Sequence, residues 1–181
     1  MTNSVDQYER ILVLRCQGGD EAAFEELVGN YSQRLRYYLR KMLRDGDRAE
    51  DILQDVWLQV LRGLARLADP GAFPAWLYRI ARDRVYRELR ERRSPLRLVE
   101  EMDFAAETGD DLRSEDAESI HAALDRLAPE HREVLVLRFL EDMTYEDIAG
   151  VTGCPVGTVR SRIHYAKRAL LSALERTSGH D

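Results

Sequence analysis

The chain has 181 residues, which at about 150 residues per domain leaves room for one compact domain or two small ones and excludes large multidomain machinery. With 44% hydrophobic and 33% charged residues it can bury a core beneath a wet surface, which argues against wholesale disorder and against a membrane protein. A formal net charge of -6 would ordinarily count against nucleic-acid binding, but local patches set the field a ligand meets, so the charge has to be mapped along the chain.

The opening stretch, MTNSVDQYER, has no basic start followed by an apolar run, so no export signal is expected and a cytoplasmic location is the default. No uncharged apolar run approaches the roughly 18 residues of a membrane span. The longest uncharged stretch, Ile148 to Val159, is broken by Gly150, Gly153, Pro155 and Gly157. Apolar residues recur every three or four positions over Val5 to Cys16 and Glu21 to Leu43, which predicts two helices punctuated by Gly18, Gly19 and Asp20. Asp47 with Glu50 resembles a capping box and opens a third helix, with Ile52, Leu53, Val56, Trp57, Val60, Leu61 and Leu64 inward. Asp69-Pro70-Gly71 forces a turn, and a fourth helix from about Pro74 buries Leu77, Ile80, Ala81, Val85 and Leu89.

The segment 96 to 119 is acidic and aperiodic and reads as a flexible, solvated linker between a domain at 1 to 95 and a second at 120 to 181. Beyond it come a helix at about Ile120 to Leu127, and a helix starting at Pro129 with an apolar stripe of Val134, Leu135, Leu137, Phe139 and Leu140. Thr144-Tyr145-Glu146-Asp147 fits a capping box, and Ile148, Ala149 and Val151 continue that short helix. Thr152-Gly153-Cys154 breaks it, and Pro155 restarts a helix with Val159, Ile163, Ala166, Leu170 and Leu174 inward. A short capped helix, a Gly-containing turn and a longer basic helix make a helix-turn-helix, whose second helix would enter the major groove. No segment alternates with period two for long enough to form a strand. The expected fold class is all-α, with two small helical domains, a bundle and a helix-turn-helix, joined by the acidic linker.

The charge map sharpens this division. Between Leu96 and Ser119 nine carboxylates face only Arg97 and Arg113, a net of -7 that leaves +1 for the rest of the chain. Phe73 to Pro95 carries Arg79, Arg82, Arg84, Arg87, Arg90, Arg92 and Arg93 against Asp83, Glu88 and Glu91. Val156 to Arg176 is basic as well, so two cationic blocks flank one anionic segment.

Three constellations follow. On the last helix Arg160, His164, Lys167 and Arg168 lie away from the buried stripe, Arg162 adds charge, and Thr158 and Ser161 sit near the helix start, where free amides favour a phosphate. Alone this is an ordinary solvated basic face; the capped helix and turn before it favour DNA, with Arg160 the better match for a guanine edge. On the fourth helix Arg79, Arg82, Tyr86, Arg90 and Arg93 form one stripe, with Phe73, Trp76 and Tyr78 near its start, a mixture suited to single-stranded nucleic acid. Trp76 is assigned mainly to packing. Asp51, Gln54 and Asp55, at i, i+3 and i+4, share a face that could meet a basic partner helix and is by itself an ordinary solvated face. There is no P-loop, HExxH or GxSxG, and Cys16 and Cys154 lie far apart without a CxxC. No enzyme, metal or cofactor is expected, and both cysteines are expected as reduced thiols.

The segments GDEAAFEELV, DRAEDILQDVWLQV and FPAWLYRIARDRV, then the acidic linker, then LAPEHREVLVLRFLEDMTYEDIAGVTGCPVGTVRSRIHYAKRAL, resemble regions 2 and 4 of the extracytoplasmic-function (ECF) sigma factors. These are small alternative sigma subunits of bacterial RNA polymerase, and the resemblance runs from about Gly18 to Leu174. It implies that Asp51, Gln54 and Asp55 face the clamp helices of the polymerase's largest subunit. It implies that the loop Arg66 to Phe73 and the helix from Trp76 read and help open the minus-ten element, with Phe73, Trp76, Arg79, Arg82, Asp83, Tyr86 and Arg90 at the DNA. The helix from Pro155 would bind the minus-thirty-five element through Thr158, Arg160, Ser161, Arg162, His164, Lys167 and Arg168. The linker would run toward the RNA exit path, and an anti-sigma partner would commonly hold such a protein inactive. Asp83 departs from the Asn of many members, and a carboxylate repels phosphate unless Arg79, Arg82 or Arg87 neutralises it. His164-Tyr165 fall where members vary. Two other functions fit parts of the pattern: a one-component helix-turn-helix regulator with an N-terminal sensor or dimerisation module, and a helical adaptor with no DNA role.

Overall fold

The computed structural model describes residues 2–92 and 115–178. They form eight α-helices, with no strand among the described residues, in two compact units divided between Met102 and Asp103. The expected linker lies outside the described residues apart from its last positions, 115–119, which already belong to a helix.

In the first unit α1 (Thr2–Gln17), α2 (Glu21–Leu43), α3 (Gly46–Gly63) and α4 (Phe73–Arg92) surround a core carried by α2, which packs against the other three. The junction of α1 and α2 turns on Asp20. Gly19, at φ 87°, lets the chain fold back so that the Asp20 N–H reaches the Arg15 carbonyl at 3.1 Å and the Gly19 N–H reaches that of Cys16 at 3.0 Å. The Asp20 carboxylate then accepts from the Ala23 amide at 3.0 Å, capping α2, and pairs with Arg15 at 2.7 Å. The Ala23 amide first, and then Arg15, hold this carboxyl below the usual aspartate range. Ala23, Leu27, Tyr31, Leu35, Tyr38 and Leu39 follow on one buried face of α2. Tyr38 meets Tyr78 edge-on with ring centroids 5.4 Å apart, both rings fully buried, a contact worth about 1 kcal/mol beyond its area.

The third helix starts two residues before the position where the Asp47/Glu50 pattern places its cap. Asp45 is the cap, its carboxylate accepting from the Arg48 amide at 3.0 Å. Glu50 instead takes Arg36 at 2.7 Å and Arg40 at 3.2 Å, both from α2. A tertiary pairing has claimed the carboxylate that a local motif would use. After α3 two 3-10 turns, Leu64–Arg66 and Pro70–Ala72, lead into α4, with Asp69 capping the second by accepting from the Gly71 amide at 2.9 Å.

In the second unit α5 (Glu115–Asp125) begins before the predicted Ile120. Helix α6 (Pro129–Phe139) follows, buried from Arg132 through Leu137. Arg132 donates to the carbonyls of Leu124 at 3.1 Å and Leu127 at 2.9 Å, satisfying groups that the end of α5 leaves open. Phe139 and Leu140, expected inward, are exposed, because the helix ends there and the chain turns away. Helix α7 (Tyr145–Thr152) starts with the predicted capping box: the Asp147 amide donates to the Thr144 hydroxyl at 3.1 Å, and the Thr144 amide donates to the Asp147 carboxylate at 3.0 Å. Gly153, at φ 68°, closes it, and α8 (Val156–Ser178) buries Val159, Ile163 and Ala166.

The first unit is locked at one end by charge. Glu88, with its side chain 8% exposed, accepts from Arg48 at 2.7 Å and Arg92 at 3.1 Å, and Arg92 also reaches Asp45 at 2.6 Å. The Arg48 guanidinium, opposed by burial and aided by Arg92, holds Glu88 below the usual glutamate range. A folded-state value below the unfolded one adds stability that is whole above the ordinary glutamate range and is lost as pH falls through the depressed value. Both tryptophans, Trp57 and Trp76, lie in this unit, so their fluorescence reports its unfolding. Urea midpoints should fall steeply between about pH 5 and about pH 3, and Glu88→Gln should lower stability at neutral pH by about 2 kcal/mol while flattening that fall.

Candidate nucleic-acid interface

Three surfaces carry the residues singled out from the sequence, two in the first unit and one in the second. On α3, Asp51 and Gln54 are exposed, with Leu58 and Leu61, 49% and 59% exposed, completing an outward row at spacings of three and four. Leu61 was expected inward; the buried face is Ala49, Ile52, Leu53, Val56 and Val60, and Leu61 falls outside it. The sequence signal for this row was the same helical spacing, continued one turn past Asp55. Both carboxylates make ion pairs within the chain: Asp51 with Arg48 at 3.4 Å and Asp55 with Arg84 at 2.9 Å. The Asp51–Arg48 pair is exposed on both sides and contributes little to stability, and Asp55, half exposed beside the more covered Arg84, keeps an accessible oxygen face, so a partner's cations can compete for both carboxylates.

The arginines of α4 divide by neighbour. Arg84 turns to Asp55, and Arg92 to Asp45 and Glu88, so both hold the bundle together. Arg87 pairs with Glu91 along the helix surface at 3.2 Å. Arg79, Asp83 and Arg90 stand exposed, while the Arg82 guanidinium lies over the Tyr86 ring, 4.3 Å from its centroid. That stacking presents a flat cationic surface of the kind that accepts a base or a phosphate. Asp83 is exposed and makes no ion pair among the described residues, so none of them supplies the neutralisation that would suit it to DNA.

The aromatics at the start of α4 behave differently from the expected stacking platform. Phe73 is fully buried, its ring edge-on to Tyr31 with centroids 5.4 Å apart, and Tyr78 is buried against Tyr38. Neither ring has a face open to a base, which removes Phe73 from the DNA contacts. Trp76 is half-buried, and its ring rests on Gly63, where an added Cβ would come within 3.0 Å of it. It also meets the Phe73 ring, with centroids 6.2 Å apart.

On α8, Arg160, Ser161, His164, Lys167 and Arg168 are exposed and Thr158 is half-exposed, as the helical spacing predicts. Ser161 spends its hydroxyl on the Gly157 carbonyl at 2.9 Å. Arg162 turns back toward the helix-turn-helix turn, its Nη1 3.8 Å from the Cys154 sulfur, and is half-buried, so it supports the turn and leaves the outward face to the others. Lys167 sits over Phe139, 4.7 Å from the ring centroid, which accounts for the outward phenyl. Tyr165, 57% exposed and edge-on to His164, belongs to the same face and was not predicted as part of it. Among the described residues no helix is long and apolar enough to cross a membrane.

Comparison with known proteins places these surfaces in a family. Residues 27–94 match Sigma-70 region 2 and residues 117–170 match Sigma-70 region 4. The RNA polymerase sigma-H factor of Pseudomonas aeruginosa is 35% identical over 189 residues, covering 97% of this chain and 96% of that protein. The ECF RNA polymerase sigma-E factor of Escherichia coli is 32% identical over 176 residues, covering 90% and 92%. Among solved structures, the sigma factor RpoE of Bartonella quintana in complex with the anti-sigma factor NepR aligns with a TM-score of 0.73 at 26% identity, over 84% of this chain and 96% of that one. CnrH in complex with the cytosolic domain of CnrY aligns with a TM-score of 0.70 at 27% identity, over 93% and 97%. With both regions matched in order and relatives that run nearly its full length, the chain belongs to the ECF sigma factors of bacterial RNA polymerase, DNA-binding regulators of transcription initiation.

Proposed function

We propose that this sigma factor works in the cytoplasm and catalyses nothing itself. It docks on core RNA polymerase through Asp51, Gln54, Asp55, Leu58 and Leu61, and opens and reads the minus-ten element through the 64–72 loop with Trp76, Arg79, Arg82, Asp83, Tyr86 and Arg90. It holds the minus-thirty-five duplex through Thr158, Arg160, Ser161, His164, Lys167 and Arg168. The domain limits stay at 1–95 and 120–181, with the acidic linker between them. An anti-sigma partner would silence the protein by covering these faces, a reading supported by the RpoE and NepR complex of its structural relative.

The observation that carries this reading is the division of the arginines on α4. Arg84 and Arg92 are tied to carboxylates within the bundle, while Arg79 and Arg90 stand exposed beside the stacked Arg82 and Tyr86. Adding the protein to core polymerase and a promoter library should yield new transcripts that require both, whereas a one-component regulator would footprint DNA without core.

Asp51→Arg with Asp55→Arg should weaken binding to core polymerase at least tenfold, by about 1.4 kcal/mol or more, through like-charge contact. Because Asp55 also holds Arg84, Leu58→Glu serves as an independent variant; unchanged core affinity in both would remove the docking face. Arg160→Ala should cost about 1–3 kcal/mol and relax preference at one minus-thirty-five position, while Lys167→Ala should weaken all sequences alike and reduce the salt slope by about 1. Quantitative footprinting of the holoenzyme over a salt series checks both.

A further inference from the structure

The 64–72 loop is irregular. Within it the Leu67 amide donates to the Leu64 carbonyl at 3.1 Å and the Gly71 amide to the Asp69 carboxylate at 2.9 Å, and α1 adds further donors to these acceptors and to the Leu67 carbonyl. The Gln17 amide donates through Nε2 to the Leu64 carbonyl at 3.0 Å and the Leu67 carbonyl at 2.8 Å, across about 50 residues of chain. Two donors from one side chain therefore fix both ends of the first turn. Arg10 reaches Asp69 with Nη2 3.2 Å from Oδ1, the same oxygen that accepts from the Gly71 amide. Its guanidinium lies close over Gly71, where an added Cβ would come 3.1 Å from Cζ. A side chain at position 71 would make the arginine give by a few tenths of an ångström, so the bare glycine lets the guanidinium lie this close.

The Arg10–Asp69 pair is exposed, at 53% and 62% of the two side chains, so it contributes little to global stability. Its two effects are local. It restricts Asp69 and the second turn, and it neutralises a carboxylate on a loop that faces a polyanion. A pocket that takes an unstacked base gains from being formed in advance, because any ordering left to the moment of binding is subtracted from its discrimination.

We propose that Gln17 and Arg10 are positioning residues for promoter reading: α1 holds the 64–72 loop in the shape that discriminates the captured minus-ten base. This rests on the reading that the loop meets the minus-ten element.

The test uses holoenzyme made with the full chain and a set of promoters carrying each base at each minus-ten position, with open-complex formation as the readout. Gln17→Ala and Arg10→Ala should each narrow the ratio between preferred and disfavoured bases about fivefold, the worth of one typical hydrogen bond, at unchanged core affinity. Arg10→Lys, which keeps the charge opposite Asp69, should restore most of the ratio, whereas Gln17→Glu, which cannot donate to the two carbonyls, should not. Asp69→Ala and Trp76→Ala act on the loop directly and separate the two levels. If they change the ratio while the Gln17 and Arg10 variants do not, the positioning role is wrong and the reading of the loop stands. If none of the four changes it, the loop does not read the minus-ten element and both fall. Arg10, being exposed, can be replaced without unfolding the unit, so a folding defect in the Gln17 variants leaves a usable arm.

Discussion

A helix that holds a bundle together and, on the proposed function, also offers cations to a polyanion has to divide its arginines. On α4 the division is made by carboxylates on α3 and at its cap. Asp55 takes Arg84, and Asp45 takes Arg92, which with Arg48 also closes around the buried Glu88. Each arginine tied in this way is withdrawn from the surface proposed to meet DNA, and at Glu88 two of them compensate a carboxylate that could not otherwise be buried. Arg79 and Arg90 then stand exposed beside the stacked Arg82 and Tyr86. The basic character of the segment is therefore real at the surface but smaller than its seven arginines suggest.

The helix-turn-helix unit solves the same problem with fewer charges. Its stability comes from apolar burial by Val134, Leu137, Ile148, Val159 and Ile163, and from Arg132, whose guanidinium donates to the backbone carbonyls of Leu124, Asp125 and Leu127. That leaves Arg160, Lys167 and Arg168 of α8 outside the core. The capping box at Thr144 and the left-handed Gly153 fix where α7 begins and ends, and so fix the angle at which α8 leaves the turn. In both units rigid packing sets the geometry and exposed side chains carry the contacts.

How much of this could be read from the sequence depended on how local the cause was. The extent of α2, the capping box at Thr144 and Asp147, the break at Gly153 and the outward face of α8 all follow from spacings within a few residues, and all were legible. The readings that failed depend on partners far along the chain. Glu50 looks like half of a cap until Arg36 and Arg40 of α2 are brought to it. Phe73 looks like a stacking ring until Tyr31 covers it, and Phe139 looks like core until the end of α6 leaves it outside beneath Lys167. The tie between Gln17 and the loop left no pattern at all, since a single glutamine at a helix end carries no periodic signal.

The division of labour on α4 is tested most directly by permanganate reactivity of thymines in a promoter bound by holoenzyme, with tryptophan fluorescence of the free protein followed on heating. Replacing Arg79 and Arg90 with glutamine should abolish most of the reactivity at the minus-ten element and leave the unfolding temperature within a few degrees of the parent. Replacing Arg84 and Arg92 should lower that temperature. Full promoter opening with Arg79 and Arg90 both neutralised would contradict the account.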